Sequence, residues 1–256
     1  PGRARGAERA PRALVMPLAS APDGPVRPPD AVRERAPRAI AVWRNERGGL
    51  TFRDGPGGHY LKWSPVGTGI SLAAERDRLV WAAPHHPVPE VLEYEASPTG
   101  ELLVTRAMAG EAAVVDRWLA EPRSAVRAIG EGLRALHENL PVGGCPFDWS
   151  VERRMASEPA DARAALGDPP DVDLLVVCHG DACAPNTIIG PDGRWAGHVD
   201  LGDLGAADRW ADLAVASMSL EWNYGPGWDA EFFAAYGIAP DADRVRFHRA
   251  LWNAED

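Results

Sequence analysis

The sequence predicts an α+β protein of two lobes, with a β-rich first lobe, a mainly helical second lobe and the functional site between them. Three observations support this prediction. Residues 39–106 alternate between apolar and polar side chains in short runs separated by turns, which is typical of an antiparallel sheet. Residues 124–140 carry apolar side chains at helical spacing. The length of 256 residues suffices for two lobes around a shared cleft.

Short alternating runs define the first lobe. Its predicted elements are strands at 39–43, 50–53, 59–63, 88–92 and 101–105, and a helix over 71–81. Ser71 is placed to cap that helix. Because side chains alternate along a strand, Tyr60 and Lys62 share one face of the third strand. Residues 1–38 are rich in Pro, Arg and Ala without periodicity, and we expect them to form a flexible extension.

Longer helical patterns define the second lobe, which we place at residues 107–256. The helix over 124–140 is strongly amphipathic, with an apolar stripe that begins at Val126 and ends at Leu140. An apolar run at 173–178 predicts a buried strand. The remaining predicted elements are a hairpin of 187–190 with 195–200, and helices over 207–220, 229–236 and 243–252.

Charge and composition exclude several classes of protein. The formal net charge of −10 disfavours a nucleic-acid binder and favours a cationic partner. No apolar run reaches the ~18 residues of a membrane span, and a secretory signal is weak, so we expect a cytoplasmic protein. Three cysteines are too few for a disulfide framework, and their odd number fits a reducing compartment.

Lys62 is the only lysine among 27 basic residues, and the other 26 are arginine. Lysine carries a compact point charge, whereas arginine carries a wide planar fork. One interpretation is that position 62 needs a charge that a guanidinium cannot replace, with Glu75 on the next helix holding it against phosphates. The other is an accident of composition, and this argument leaves both open.

Residues with catalytic chemistry concentrate in one short stretch. The predicted buried strand is followed by the run His-Gly-Asp-Ala-Cys-Ala-Pro-Asn at 179–186, and Asp200 ends the next hairpin. Phosphoryl transfer needs a carboxylate that accepts or orients the attacking hydroxyl, and oxygen ligands that hold Mg²⁺ on the nucleotide phosphates. Asp181 can serve the hydroxyl, while Asn186 and Asp200 offer the oxygen ligands.

In this combination the sequence resembles the aminoglycoside phosphotransferase family, whose members have a bilobal protein-kinase-like fold. The resemblance covers about residues 40–252 and rests on several parts in order: strand Tyr-Leu-Lys, helix Glu, the 179–186 run, and Val-Asp-Leu-Gly at 199–202. Cys-Pro-Phe at 145–147 also matches. The resemblance implies that fold, ATP and Mg²⁺ as cofactors, and a small cationic aminoglycoside as the partner. We expect a monomer.

The resemblance also implies a role for each matching residue. Asp181 is the expected catalytic carboxylate, and Asn186 and Asp200 are the expected Mg²⁺ ligands. The expected nucleotide contacts are Lys62 on the phosphates, Glu75 paired with Lys62, Tyr60 stacked on adenine, and the backbone of Thr105 to Ala107 as the hinge at the adenine edge.

Acidic side chains of the second lobe are candidates for binding the ammonium groups of a substrate. The candidates are Asp148, Glu221 and Glu255, and each could instead be a solvated surface charge. Residues 75–81 and 145–147 are similar to those of streptomycin 3″-phosphotransferases, which implies inactivation of streptomycin at its 3″-hydroxyl. The alternatives are 3′-phosphorylation of kanamycin- or neomycin-type drugs, and a kinase of another small hydroxyl compound.

Two further classes stay open. A catalytically inactive nucleotide-binding module is disfavoured because the whole expected catalytic set is present. A zinc hydrolase is the other, with ligands drawn from Cys178, His179, Asp181 and Cys183. Against it, such cysteines are more often small packing residues. We expect His179 to brace the loop by hydrogen bonding, since Asp181 already serves the hydroxyl, and Asp212 to tether that loop.

Overall fold

An antiparallel sheet of six strands forms the first lobe in this computed structural model, which describes residues 19–20, 22, 24–45 and 47–254. The strands are β1 (Ala19–Ser20), β2 (Ile40–Asn45), β3 (Leu50–Asp54), β4 (His59–Pro65), β5 (Val91–Ser97) and β6 (Gly100–Arg106). Their spatial order is β1-β2-β3-β4-β6-β5. The strand that carries Lys62 is therefore paired on both sides, which fixes its backbone.

Alternation along the central strands gives the sheet one face that is closed by a short helix. Leu61 and Trp63 of β4 pack with Phe52 of β3, and all three are buried. Helix α1 (Asp30–Arg35) covers this face with Val32, which is fully buried. Burial of these apolar side chains stabilises the packing of α1 on this face of the sheet.

The opposite face of the sheet meets helix α2 (Leu72–Ala82). Ser71 caps this helix as predicted, because its Oγ accepts a hydrogen bond from the Ala74 amide at 3.2 Å. Tyr60 and Lys62 share this face, in agreement with the strand period. The cap and the strand together fix where α2 begins relative to Lys62.

Two boundaries in the first lobe differ from the sequence prediction. Residues 1–18 lie outside the described residues, but the end of the predicted extension over 1–38 is helical and packs Val32 on the sheet. A helix of six residues with one buried side chain gives too short a pattern for periodicity to show. The strand predicted at 88–92 lies instead at Val91–Ser97, because prolines before it have no amide for the ladder.

Helices dominate the second lobe. Its helices are α3 (Asp116–Ala120), α4 (Pro122–Asn139), α5 (Val151–Ser157), α6 (Ala160–Leu166), α7 (Trp210–Tyr224), α8 (Asp229–Tyr236) and α9 (Ala242–Ala254). Its strands are β7 (Glu111–Ala112), β8 (Leu175–Cys178), β9 (Thr187–Ile189), β10 (Trp195–His198) and β11 (Gly205–Asp208). A β-rich lobe followed by a mainly helical one confirms the predicted fold class.

The helix predicted to begin at residue 207 begins instead at Trp210. Residues 205–208 form β11, which pairs with the buried β8 and leaves Ala207 opposite Val176. Small side chains such as alanine fit a helix or a strand, so pairing with β8 decides between the two. Gly205 lies opposite Cys178, so the start of the loop after β8 and the end of the loop before β11 lie side by side.

A single apolar cluster joins the two lobes. Leu79 of α2 and Leu103 of β6 pack in one cluster with Leu136 of α4 and Leu201. All four are nearly or fully buried, so this contact excludes water at the base of the cleft. We keep the lobe boundary after Arg106, where β6 ends, as a proposal. No described helix is long and apolar enough to cross a membrane.

Candidate active site

One lysine and two carboxylates form the charged centre of the cleft. Lys62 Nζ donates to Glu75 Oε1 at 2.6 Å and to Asp200 Oδ1 at 2.7 Å. β4 supplies the lysine, α2 the glutamate, and the loop after β10 the aspartate. The sequence predicted the first contact, and the second is new. Lys62 thus bridges the first lobe to the second.

Burial and charge oppose each other at this centre. Burial disfavours the charge on Lys62, but the Coulombic attraction of Asp200 and Glu75 outweighs it, and the pKa of Lys62 is raised. Burial raises the pKa of Glu75 against the opposing charge of Lys62. Burial also opposes ionisation of Asp200, but the positive charge of Lys62 outweighs this effect, and the pKa of Asp200 is lowered. The two carboxylates therefore favour the charged form of the ammonium.

Asp200 has an unusual backbone. It is the one non-glycine residue with a positive φ, 63°, among the described parts of the chain. This left-handed conformation costs about 1 kcal/mol or more for a residue with a Cβ, and aspartate tolerates it better than most. Such strain is kept where the surrounding structure requires it, and here it accompanies the Asp200 contact with Lys62.

Asp181 follows β8 and lies beside Asn186 in the loop. Asn186 Nδ2 donates to Asp181 Oδ2 at 3.0 Å and to the Asp181 carbonyl at 2.9 Å. The other carboxylate oxygen, Oδ1, is buried without a hydrogen-bond partner in the described protein. Burial raises the pKa of Asp181, with Asn186 among the groups that oppose it. Asn186 therefore fixes the orientation of the Asp181 carboxylate, and the Cys183 thiol also opposes the effect of burial by hydrogen bonding to it.

A buried brace holds the backbone before Asp181. Asp212 accepts the amides of His179 and Gly180 at 2.6 Å and 3.0 Å, and its Oδ2 lies 2.9 Å from His137 Nε2. The tether that we predicted for Asp212 is present. Gly180 is required here, because its φ is +89° and an added Cβ would lie 2.3 Å from the Asp203 carbonyl oxygen.

His179 and the cysteines are structural. His179 is fully buried, its Nε2 lies 2.9 Å from the Val199 carbonyl, and its Nδ1 accepts the Asp181 amide at 3.3 Å. It braces the loop, as predicted. Cys178 is buried against the Asp208 carbonyl, and burial raises the pKa of its thiol. Both ring nitrogens of His179 are engaged by the backbone, which leaves this residue no nitrogen for the zinc site considered above.

Tyr60 and Thr105, two of the residues predicted to contact the nucleotide, lie side by side on the inner strands β4 and β6. Tyr60 is half-buried and lies opposite Thr105 in the ladder. Thr105 is paired on its other side with Val91, so its backbone is engaged within the sheet. The Ala107 amide donates to the Gly58 carbonyl at 3.0 Å. The Ala107 amide is therefore engaged by the preceding hairpin, and the hinge role of Thr105 to Ala107 stays a prediction.

The structure describes two of the three candidate acids of the second lobe, Asp148 and Glu221. Asp148 is exposed, and its Oδ1 accepts the Ser150 amide at 2.8 Å, which makes it a turn-capping residue. Glu221 near the end of α7 accepts a hydrogen bond from Arg249 Nη1 at 3.0 Å. Glu255 lies outside the described residues. Turn capping engages one oxygen of Asp148, and the binding of substrate by Asp148 and Glu221 stays a prediction.

A bilobal fold with a buried lysine–glutamate pair facing two loop carboxylates is that of a kinase-like phosphotransferase. The chain matches the family described as "Phosphotransferase enzyme family" over residues 53–248. The chain belongs to this family, the aminoglycoside phosphotransferases, and the recognition from the sequence motifs is confirmed.

Relatives of known function agree with this membership. Streptomycin 3″-kinase of Streptomyces griseus is 36% identical over 248 residues, which cover 83% of this chain and 90% of that protein. An aminoglycoside 3′-phosphotransferase of Streptomyces fradiae is 36% identical over 220 residues, covering 73% and 81%. Aminoglycoside phosphotransferase APH(3″)-Id of Streptomyces rimosus has a TM-score of 0.71 and 32% identity, covering 85% of this chain and 92% of that one. That enzyme has also been solved with ADP and streptomycin.

Proposed function

We propose that this protein transfers the γ-phosphoryl group of ATP to a hydroxyl of an aminoglycoside, and that the substrate is streptomycin at its 3″-hydroxyl. The observation that carries the proposal is the combination of two features. The Asp181 carboxylate lies in the loop after β8 and is oriented by Asn186. Lys62 binds both Glu75 and Asp200 at the charged centre. The streptomycin kinase relative and the streptomycin complex of a structural relative support the choice of substrate. Phosphorylation would inactivate the antibiotic.

Asp181 is the base in this proposal. The substrate hydroxyl oxygen forms a bond to the γ-phosphorus as the bond to the β-phosphate oxygen breaks. The hydroxyl proton passes to the carboxylate of Asp181. Asn186 holds one oxygen of this carboxylate and so fixes the direction of the acceptor. The pKa of Asp181 is raised by burial, which makes its carboxylate a stronger proton acceptor than an exposed one.

Lys62 and the oxygen donors around it suit the phosphates. The ammonium is held by two carboxylates and can bind phosphate oxygens as a point charge while Glu75 keeps it in place. Asn186 and Asp200 each offer an oxygen that suits Mg²⁺. Asn186 donates to Asp181 through Nδ2, so its amide oxygen is the atom that would bind the ion. Asp200 accepts the Lys62 ammonium through Oδ1, so Oδ2 is the corresponding atom there. Mg²⁺ bound there would neutralise phosphate charge.

A 3′-phosphotransferase of kanamycin- or neomycin-type drugs is the second candidate. The Streptomyces fradiae relative has the same 36% identity to this chain as the streptomycin kinase. The charged centre and Asp181 serve either substrate equally, since they act on a hydroxyl and a nucleotide. The difference has to come from the side chains that hold the drug. We further propose that the protein acts as a monomer on these small cations.

A substrate panel distinguishes the candidates. Purified protein with ATP and Mg²⁺ is offered streptomycin, kanamycin, neomycin and choline at equal concentration, and ADP release is followed with each. We expect kcat/KM for streptomycin to be highest by about tenfold or more, a free-energy difference of about 1.4 kcal/mol. Highest turnover with kanamycin or neomycin would favour the second candidate. Turnover with choline alone would overturn both.

A further inference from the structure

We infer that Arg78 is a positioning residue of the active site, which locks helix α2 onto the segment that carries Asp200. The inference rests on the proposed function, because it explains how the nucleotide half of that site is kept assembled. Arg78 acts through other residues: its guanidinium contacts the carbonyls of Leu204 and Ala74 and the ring of Phe147, none of which is assigned to catalysis.

Arg78 crosses from the first lobe to the second. It lies on α2 one turn after Glu75 and is half-buried. Its Nε donates to the Leu204 carbonyl at 2.8 Å, and its guanidinium carbon lies 4.9 Å from the centre of the Phe147 ring. A bond to a carbonyl and a cation–π contact together fix a guanidinium in both position and plane. The Arg78 side chain therefore ties α2 to two separate segments of the second lobe.

Those two segments are bound to one another, so Arg78 contacts a single unit. The Ala206 amide donates to the Phe147 carbonyl at 2.9 Å. A second α2 side chain reinforces this contact, since Trp81 Nε1 donates to the Gly144 carbonyl at 3.2 Å. The Trp81 ring also meets the Phe147 ring edge-on, with centroids 5.9 Å apart. The Cys-Pro-Phe run, which contains Phe147, thus forms the second-lobe side of a joint with α2.

The joint closes a ring of contacts around the charged centre. Lys62 binds Glu75 at 2.6 Å, and α2 leads from Glu75 to Arg78. Arg78 Nε donates to the Leu204 carbonyl at 2.8 Å, and three residues of chain, 201–203, separate Leu204 from Asp200. Asp200 binds Lys62 at 2.7 Å, which completes the ring. Arg78 thus adds a direct polar link between α2 and the Asp200 segment beside the ammonium of Lys62.

Replacement of Arg78 by methionine tests the inference, because methionine keeps the apolar stem and removes the cation. Arg76 is the matched control: it lies on the same helix, but its guanidinium packs on Tyr94 and bonds Asp77, both in the first lobe. We expect Arg78→Met to raise KM for ATP by about fivefold or more and to leave KM for streptomycin within twofold. Arg76→Met is expected to match the parent. Equal effects of the two changes would overturn the inference.

Coupling to the ring is measured with a double-mutant cycle. If Arg78 acts through Glu75, then adding Arg78→Met to Glu75→Gln costs much less in kcat/KM for ATP than adding it to the parent. Additive losses would overturn the inference. Arg78→Lys, which keeps a cation on the same helix face, is expected to recover part of the loss, and it serves as the test if the methionine variant does not fold.

Amide hydrogen exchange in the substrate-free protein separates this inference from the proposed function. Loss of the Arg78 bond should speed exchange of the amides at Leu204 and Ala206 by about fivefold or more, with Arg76→Met unchanged. Unchanged exchange at both amides would overturn the inference. If the parent phosphorylates no aminoglycoside, the proposed function fails, and the exchange rates still decide the role of Arg78.

Discussion

Replacement of the single lysine by arginine tests the charged centre with its charge conserved. Lys62 Nζ lies within hydrogen-bond distance of both carboxylates, at 2.6 Å from Glu75 and 2.7 Å from Asp200. A guanidinium is longer and planar, and it cannot occupy the point where the ammonium meets both. Lys62→Arg should therefore keep a cation in the cleft but lose at least one of the two contacts.

The structure sets the size of the effect. Each contact is a hydrogen bond between charged groups, and the Glu75 side chain is only 6% exposed. Loss of one such bond costs about 1.5–3 kcal/mol, which corresponds to a fall of about tenfold to a hundredfold in kcat/KM for ATP. The cost falls on the nucleotide side, because Lys62 lies on β4 in the first lobe. Streptomycin affinity in the absence of nucleotide should hardly change.

Initial rates at varied ATP concentration and calorimetric titration with streptomycin provide the assay. Arg123→Lys is the control, since Arg123 pairs with Glu231 at a surface where its own side chain is 71% exposed, and such pairs contribute little. Lys62→Arg should stay folded at assay temperature, with a thermal midpoint lowered by about 3–12 °C because the lost contact also stabilises the substrate-free protein. Parent-like kinetics for ATP in a folded Lys62→Arg protein would refute the reasoning and make the single lysine an accident of composition.

Three further changes test other parts of the site. Asp181→Asn should lower turnover by about 10²–10⁴-fold and preserve affinity for ADP in a calorimetric titration, because its carboxylate serves the hydroxyl; near-normal turnover would reject Asp181 as the base. Asp200→Ala should raise the Mg²⁺ concentration needed for half-maximal rate, and an unchanged Mg²⁺ dependence would count against Asp200 as a ligand. Burial lowers the pKa of His86 to about 4. Between about pH 6.5 and pH 4 the unfolded chain therefore binds a proton at this histidine that the folded protein does not bind. The free energy of unfolding falls with falling pH in this window, by up to about 3 kcal/mol. Urea unfolding at pH 5 and pH 7 should show a smaller loss for His86→Gln than for the parent, and an equal loss would contradict this.

Motifs and periodicity predicted most of the fold and the residues that meet in the cleft. The strand period put Lys62 beside Tyr60, the cap at Ser71 fixed the start of α2, and the loop after a buried strand held Asp181 with Asn186. These features depend on neighbours in the sequence. Local patterns are sufficient where the chain itself brings the groups together.

Contacts between distant residues were beyond the sequence. The bond from Lys62 to Asp200 joins residues 138 positions apart, and nothing local marks it. The turn at Asp148 was missed for a related reason, because residue type alone does not show that its carboxylate accepts the Ser150 amide. The Ala107 amide is engaged by Gly58 through the fold of the preceding hairpin.

The histidines show the same limit. His86 Nε2 lies 2.9 Å from His198 Nδ1, and both side chains are buried. His86 follows α2 and His198 ends β10, so only the packed lobes bring them together. A signal was available in part: the run His-His-Pro at 85–87 is unusual next to a strand, but it does not reveal the partner.

The most direct test of the central claim is an NMR spectrum of the product formed from streptomycin, ATP and Mg²⁺ by the purified protein. The account predicts one new phosphate monoester, with its phosphorus coupled to the proton on the carbon that bears the 3″-oxygen. It also predicts that no such product forms with Asp181→Asn over the same time, as the loss of about 10²-fold or more requires. Unmodified streptomycin, kanamycin and neomycin after prolonged incubation with active, folded parent protein would contradict the claim.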